Sequence, residues 1–163
     1  FEMTVLGYDP FLKKENLREV RLELVQLEEL LRRADFISIH VPLSDQTRGM
    51  INQERVSQMK SGAIFINTSR GGVVESLDVL ADALESGHLG AVGLDVFPTE
   101  PPDVSHRLFK HPQFVGAPHL VGVSDLAMER MYRSMATDMV AVLQGRRPQY
   151  CVNPEVCEKL AEN

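Results

Sequence analysis

Short, unbroken apolar runs that alternate with stretches of helical spacing constrain this chain more than any other feature. Residues 4–8, 36–41, 63–67 and 91–96 form such runs, and residues 114–117 form a weaker one. Unbroken rather than every-second-residue hydrophobicity marks strands covered on both faces, the condition of a parallel sheet layered with helices. Between the runs, residues 24–33, 53–59 and 76–85 place apolar side chains three or four apart, the period of a helix with one buried face. The order βαβαβαβ predicts an α/β fold of the doubly wound, parallel kind. A longer helix follows from Ser124, an N-cap candidate, to Leu143, and Gly145 stops it. Its stripe of Met128, Met131, Met135, Met139 and Val142 reads as a core or subunit-contact face rather than a ligand site.

Composition narrows the function classes. The 163 residues suit a single domain, and 44% hydrophobic content supplies a core without any run near the ~20 apolar residues of a membrane span. A net charge of −6 gives no electrostatic footprint for nucleic acid or an anionic membrane, while leaving room for a small anion held by one or two arginines. Cys151 and Cys157 lack metal-ligand or disulfide-framework spacing and read as thiols, and no metal site is expected. The first residues show no signal peptide, so the expected location is cytoplasmic.

In dinucleotide-binding folds an acid closes the second strand about 20 residues after a G-x-G-x-x-G loop. Asp9 stands in such a place, and the sequence holds no such loop. The expectation is a Rossmann-type fold lacking its first strand and glycine-rich loop at the N-terminus. The binding domain is expected to cover residues 1–145, with 146–163 as an irregular return segment towards another domain.

Candidate site residues gather at the ends of the apolar runs, where open parallel sheets bind ligands. Asp9 suits the hydroxyls of a ribose, although Asp-Pro also simply starts turns. Val41 and Pro42 lead out of the run at 36–41 and border the same edge, while His40 reads as structural. Arg70, in Asn67-Thr68-Ser69-Arg70-Gly71-Gly72, offers paired donors for a carboxylate, and its glycines allow close approach to the backbone. Its alternative is a solvated loop arginine. Asp95 suits an amide, and Glu100 suits a histidine whose protonated form it stabilises; surface acids in a turn are the alternative for each. His119 has the side chain best fitted to move a proton near neutral pH. An Arg, a Glu and a His past three strand ends of one sheet favour catalysis over coincidence. His106 and His111 read as surface residues.

These motifs resemble the D-isomer-specific 2-hydroxyacid dehydrogenases. The agreement lies in His40-Val-Pro-Leu with Thr47, Asn67-Thr-Ser-Arg-Gly-Gly, Gly93-Leu-Asp-Val-Phe-Pro-Thr-Glu-Pro and Pro118-His-Leu-Val-Gly, with 30 residues from Arg70 to Glu100 and 19 from Glu100 to His119. The resemblance implies an NAD-dependent enzyme that moves a hydride between cofactor and a small 2-hydroxy or 2-keto acid, and a homodimer formed through the NAD-binding domain. It implies that Arg70 binds the substrate's carboxylate and carbonyl oxygen, that His119 exchanges the proton and that Glu100 pairs with His119. For NAD it implies Asp9 at the adenine ribose, Val41 and Pro42 beside the adenosine, Thr68, Ser69 and Arg70 near the nicotinamide ribose, Asp95 at the carboxamide, and His119 to Gly122 around the nicotinamide. Asp9 favours NAD over NADP, with Lys13 and Lys14 as a partial offset. Without the glycine loop and a substrate domain, residues 1–163 alone are expected to be inactive. A dinucleotide-sensing corepressor and a pure assembly module stay open as alternatives.

Overall fold

The computed structural model describes residues 2–12 and 21–158. Lys13, Lys14 and the Cys157 side chain lie outside the described residues. The chain divides into two compact units, Phe1–Val121 and Gly122–Asn163.

In the first unit, β1 (Leu6–Gly7) pairs in parallel with β2 (Glu23–Leu24). Helix α1 (Leu27–Arg33) leads to β3 (Phe36–Ile39), and α2 (Gln53–Ser57) leads to β4 (Ala63–Asn67). Helix α3 (Leu77–Glu85) then precedes β5 (Leu89–Leu94), and β6 (Phe114–Gly116) closes the series. Strands β3, β4, β5 and β6 form one parallel sheet in sequence order.

The parallel α/β expectation holds, with three corrections. The strands form two sheets rather than one: β1 pairs with β2, where Glu23 donates N–H to the Val5 carbonyl and Val25 to that of Gly7, each at 3.0 Å. The helix expected over 24–33 starts at Leu27, and Leu24 belongs to a strand. Leu22 and Leu24 alternate with Arg21 and Glu23, so the period there is two, and Leu24 fits both patterns. Strand β5 also begins and ends two residues before the expected 91–96, since Val96 is buried beyond the ladder.

The core lies around β4 and β5. Phe65, Leu80, Val92, Ile51, Val56 and Leu108 are almost completely buried, and each such side chain contributes roughly 1.5–3 kcal/mol relative to exposure. Helix α3 begins where the Ser76 hydroxyl accepts the Val79 N–H, and it buries Val79, Leu80, Ala81, Ala83 and Leu84. Its outer acids Asp78, Asp82 and Glu85 all take hydrogen bonds from Arg107, at 2.6–2.9 Å for the shortest to each. That guanidinium fastens the short 3₁₀ turn Arg107–Lys110 to α3. From the turn, Phe109 stacks on Phe97 at 5.4 Å and meets Phe114 edge-on at 5.1 Å. Phe97 lies in the chain leaving β5, so this packing steadies the ground on which the site stands.

In the second unit, α4 (Asp125–Leu143) starts at Ser124, whose hydroxyl accepts the Ala127 N–H at 3.2 Å, and Gly145 follows it with φ +69°. Asp138 accepts the N–H groups of Gln149 and Tyr150, folding the following segment back on the helix. That segment contains α5 (Pro154–Glu158), which the expected irregular return lacks. Met131, Met135, Met139 and Val142 are exposed, so the core reading of the stripe is corrected. Among the described residues, no helix is long and apolar enough to cross a membrane.

Candidate active site

The site grows from the carboxyl ends of β4, β5 and β6. Strand β4 ends on Asn67, whose side chain is completely buried. Its Oδ1 accepts the Ser69 N–H at 3.0 Å and the Ser69 hydroxyl at 2.9 Å, while its Nδ2 donates to the Arg70 carbonyl at 3.0 Å. Thr68, Ser69 and Arg70 are thereby wrapped around one buried amide. Arg70 is exposed, and its Nη1 donates to the Ser69 carbonyl at 2.7 Å.

Gly71 follows, and a Cβ there would sit 1.9 Å from the Phe97 carbonyl carbon and 2.4 Å from the Pro98 nitrogen. Only glycine lets the Arg70 loop lie against the Phe97–Pro98 peptide. This contact brings the β4 loop to the β5 loop, which carries Glu100. Glu100 Oε1 accepts the Phe97 N–H at 3.0 Å, and its Oε2 meets His119 Nδ1 at 3.0 Å.

His119 follows β6 in a left-handed conformation, φ +57°, that costs a residue with a Cβ roughly 1–2 kcal/mol. Two backbone bonds hold it there: Leu120 and Val121 donate their N–H groups to Asp95 Oδ1 and Oδ2 at 2.9 and 3.0 Å. Asp95 is 4% exposed. The His119 hydrogen bond and the Phe97 N–H hold the Glu100 carboxyl below the usual carboxylate range against an opposing effect of burial, with smaller help from the charges of His119 and Arg70. Glu100 is therefore an anion across neutral pH, and Arg70 is close enough for its charge to act on it. With Nδ1 engaged, Nε2 is the ring nitrogen left for proton exchange. A pocket of about 550 Å³ opens beside the pair, lined by Phe97, Phe109, Phe114 and Pro118 as well as Glu100 and His119.

The expected catalytic residues thus come together. Among the cofactor candidates, Thr68 and Ser69 share the Arg70 loop, Asp95 accepts the N–H of Leu120, which follows His119, and Val41 and Pro42 leave β3 at the same sheet edge. The Thr47 hydroxyl donates to the Pro42 carbonyl at 2.6 Å and accepts the Ser44 N–H at 2.8 Å, shaping that loop. Asp9 stands at the end of β1, in the other sheet, where its Oδ1 accepts the Phe11 N–H at 2.8 Å as a turn initiator does. Gly122 begins the second unit. His40 Nε2 meets the Ser38 hydroxyl at 2.8 Å. His106 is half-buried rather than a plain surface residue, because its Nδ1 accepts the Leu108 N–H and starts the 3₁₀ turn. Sequence reasoning assigns no role to Asn67 or Phe97; a buried polar residue closing an otherwise apolar strand is the signal that marks Asn67.

Residues 1–121 match the family described as "D-isomer specific 2-hydroxyacid dehydrogenase, NAD binding domain". The chain is 40% identical over 156 residues to a glyoxylate reductase of Korarchaeum cryptofilum, covering 96% of this chain and 47% of that protein. It is 39% identical over 153 residues to a D-3-phosphoglycerate dehydrogenase of Mycobacterium leprae, covering 94% and 29%. Among solved structures, D-lactate dehydrogenase from Aquifex aeolicus complexed with NAD and lactic acid superimposes with a TM-score of 0.78 and 34% identity, over 88% of this chain and 47% of that one. The chain spans half or less of the length of these relatives. Its family match and the sheet-edge site agree: this chain belongs to the D-isomer specific 2-hydroxyacid dehydrogenases, of which residues 1–121 form the NAD-binding domain.

Proposed function

We propose that the protein carrying this chain reduces a small 2-keto acid to the D-2-hydroxy acid, and runs the reverse reaction, with NAD as cofactor. The observation that carries the reading is the 3.0 Å Glu100–His119 pair within reach of the Arg70 charge at one sheet edge. Arg70 holds the substrate's carboxylate and carbonyl oxygen through paired N–H donors. His119 Nε2 gives its proton to that oxygen as it becomes a hydroxyl, and takes it back in the oxidation. Glu100 orients the ring through Nδ1 and stabilises its protonated form. The bound nicotinamide supplies or accepts the hydride.

The donor set fits that cofactor. Asp95 spends one acceptor position of each oxygen on a backbone N–H and, having about four in all, keeps room for a carboxamide N–H. Thr68 and Ser69, both half-buried, serve the nicotinamide ribose with Arg70, Val41 and Pro42 serve the adenosine, Asp9 serves the adenine ribose and His119 to Gly122 serve the nicotinamide. The charge of Asp9 repels a 2′-phosphate and favours NAD over NADP. The dinucleotide-binding domain extends through α4 to residue 145, with 146–163 leading towards a substrate domain. The protein works in the cytoplasm as a homodimer joined through this domain; exposed Phe36 on β3 and Val115 on β6, the two edge strands of the larger sheet, support association.

The test is NADH oxidation by the full-length protein with glyoxylate, hydroxypyruvate, pyruvate and phosphohydroxypyruvate, repeated with NADPH. Saturable turnover of at least one acid, with higher kcat/KM for NADH than for NADPH, is the expected result. No turnover of any acid overturns the proposal.

A further inference from the structure

Among the described residues, the buried polar side chains are Asn67 and Asp95, and both stand where central strands end. A carboxylate in so apolar a setting is costly unless its oxygens are met. Asp95 meets that condition through the backbone. Its N–H extends the β4–β5 ladder to the Asn67 carbonyl at 3.0 Å, and its two oxygens take the N–H groups of Leu120 and Val121, 25 and 26 residues further on. On the near side of the same loop, Ala117 donates to the Leu94 carbonyl at 2.8 Å. The loop is therefore stapled at both ends to the end of β5, with Pro118 and His119 between the staples. His119 sits there at φ +57°, a conformation that residues with a Cβ rarely adopt without outside support.

We propose that Asp95 is a positioning residue: its buried carboxylate brackets the Leu120 and Val121 amides, holds His119 in its left-handed conformation and so delivers the imidazole to Glu100. The proposal rests on the reading of His119 as the proton donor, and it gives Asp95 a task distinct from any contact with the carboxamide. Asp95 acts through His119, not on the substrate.

The experiment compares Asp95→Asn and Asp95→Ala with the unaltered full-length protein by amide hydrogen exchange, kcat and NADH Kd. Exchange at Leu120 and Val121 is expected to quicken by about tenfold or more, while the amides of Phe65 and Val92 in the sheet stay protected. In Asp95→Asn, kcat is expected to fall about 10²-fold while NADH Kd rises less than about tenfold. Asparagine keeps one acceptor, so Asp95→Asn lies between the unaltered protein and Asp95→Ala; if the alanine variant fails to fold, the asparagine variant decides alone. Unchanged protection at Leu120 and Val121, or a loss confined to NADH Kd with kcat intact, overturns the proposal. If the unaltered protein binds NADH yet reduces no 2-keto acid, the proposed reaction fails, and the exchange comparison still decides whether Asp95 brackets the loop.

Discussion

Helices α3 and α4 carry the same kind of apolar spacing and meet opposite surroundings. In α3 the apolar face is buried from Val79 to Leu84, and the outer face is fastened by Arg107 to the turn that leads into the site. In α4, Met131, Met135, Met139 and Val142 are exposed and line a groove of about 800 Å³ with Tyr150. Both helices also begin in the same way, on a serine whose hydroxyl accepts an N–H three residues on. Spacing and capping therefore specify that a helix forms and which face is apolar, but not what covers that face. The partner comes from the rest of the fold.

Mutation can break or sharpen this contrast. The largest effect is expected from Leu80→Ala, which leaves a cavity in a fully packed place and should cost about 2–5 kcal/mol, measured by denaturant unfolding of the full-length protein. Next comes Gly71→Ala, because the added Cβ meets the Phe97 backbone rather than a flexible side chain. The Arg70 loop must move away from the Glu100 loop, and a displacement of about 1 Å between catalytic groups lowers kcat/KM by ~10²-fold. An alanine enzyme of normal kcat/KM would show that this contact does not set the site. Smallest is Met135→Ala, expected within about 0.5 kcal/mol if the stripe stays in water. A cost close to that of Leu80→Ala would instead show that the full-length protein covers the α4 face.

The same contrast explains how much of the molecule was legible in its sequence. Strand β4 matches its expected limits because its apolar run is unbroken and ends on a polar residue; α4 does so because Ser124 and Gly145 punctuate it. Leu24 was ambiguous because a single leucine satisfies both periods, and the split into two sheets depends on ladder partners that hydropathy does not encode. Arg70, Glu100 and His119 were visible as unusual side chains past strand ends. The residues that align them were not. The fit of Gly71 against Phe97 and the bracket from Asp95 to Leu120 and Val121 each join positions about 25 residues apart, and such contacts exist only once the strands are side by side.

The central claim is that Glu100 and His119 work as one proton-handling unit, and the pH dependence of kcat/KM for 2-keto acid reduction tests it most directly. Glu100 is held below the usual carboxylate range chiefly by its hydrogen bond to His119, so it is charged at neutral pH. In the proposed reduction the protonated ring is the proton donor. Replacing Glu100 by Gln removes the negative partner that favours the protonated ring, so the alkaline limb of the proposed reduction should move to lower pH. The acidic limb of the reverse oxidation, which requires the neutral ring, should move in the same direction. Limbs that stay at their original pH in Glu100→Gln would contradict the account.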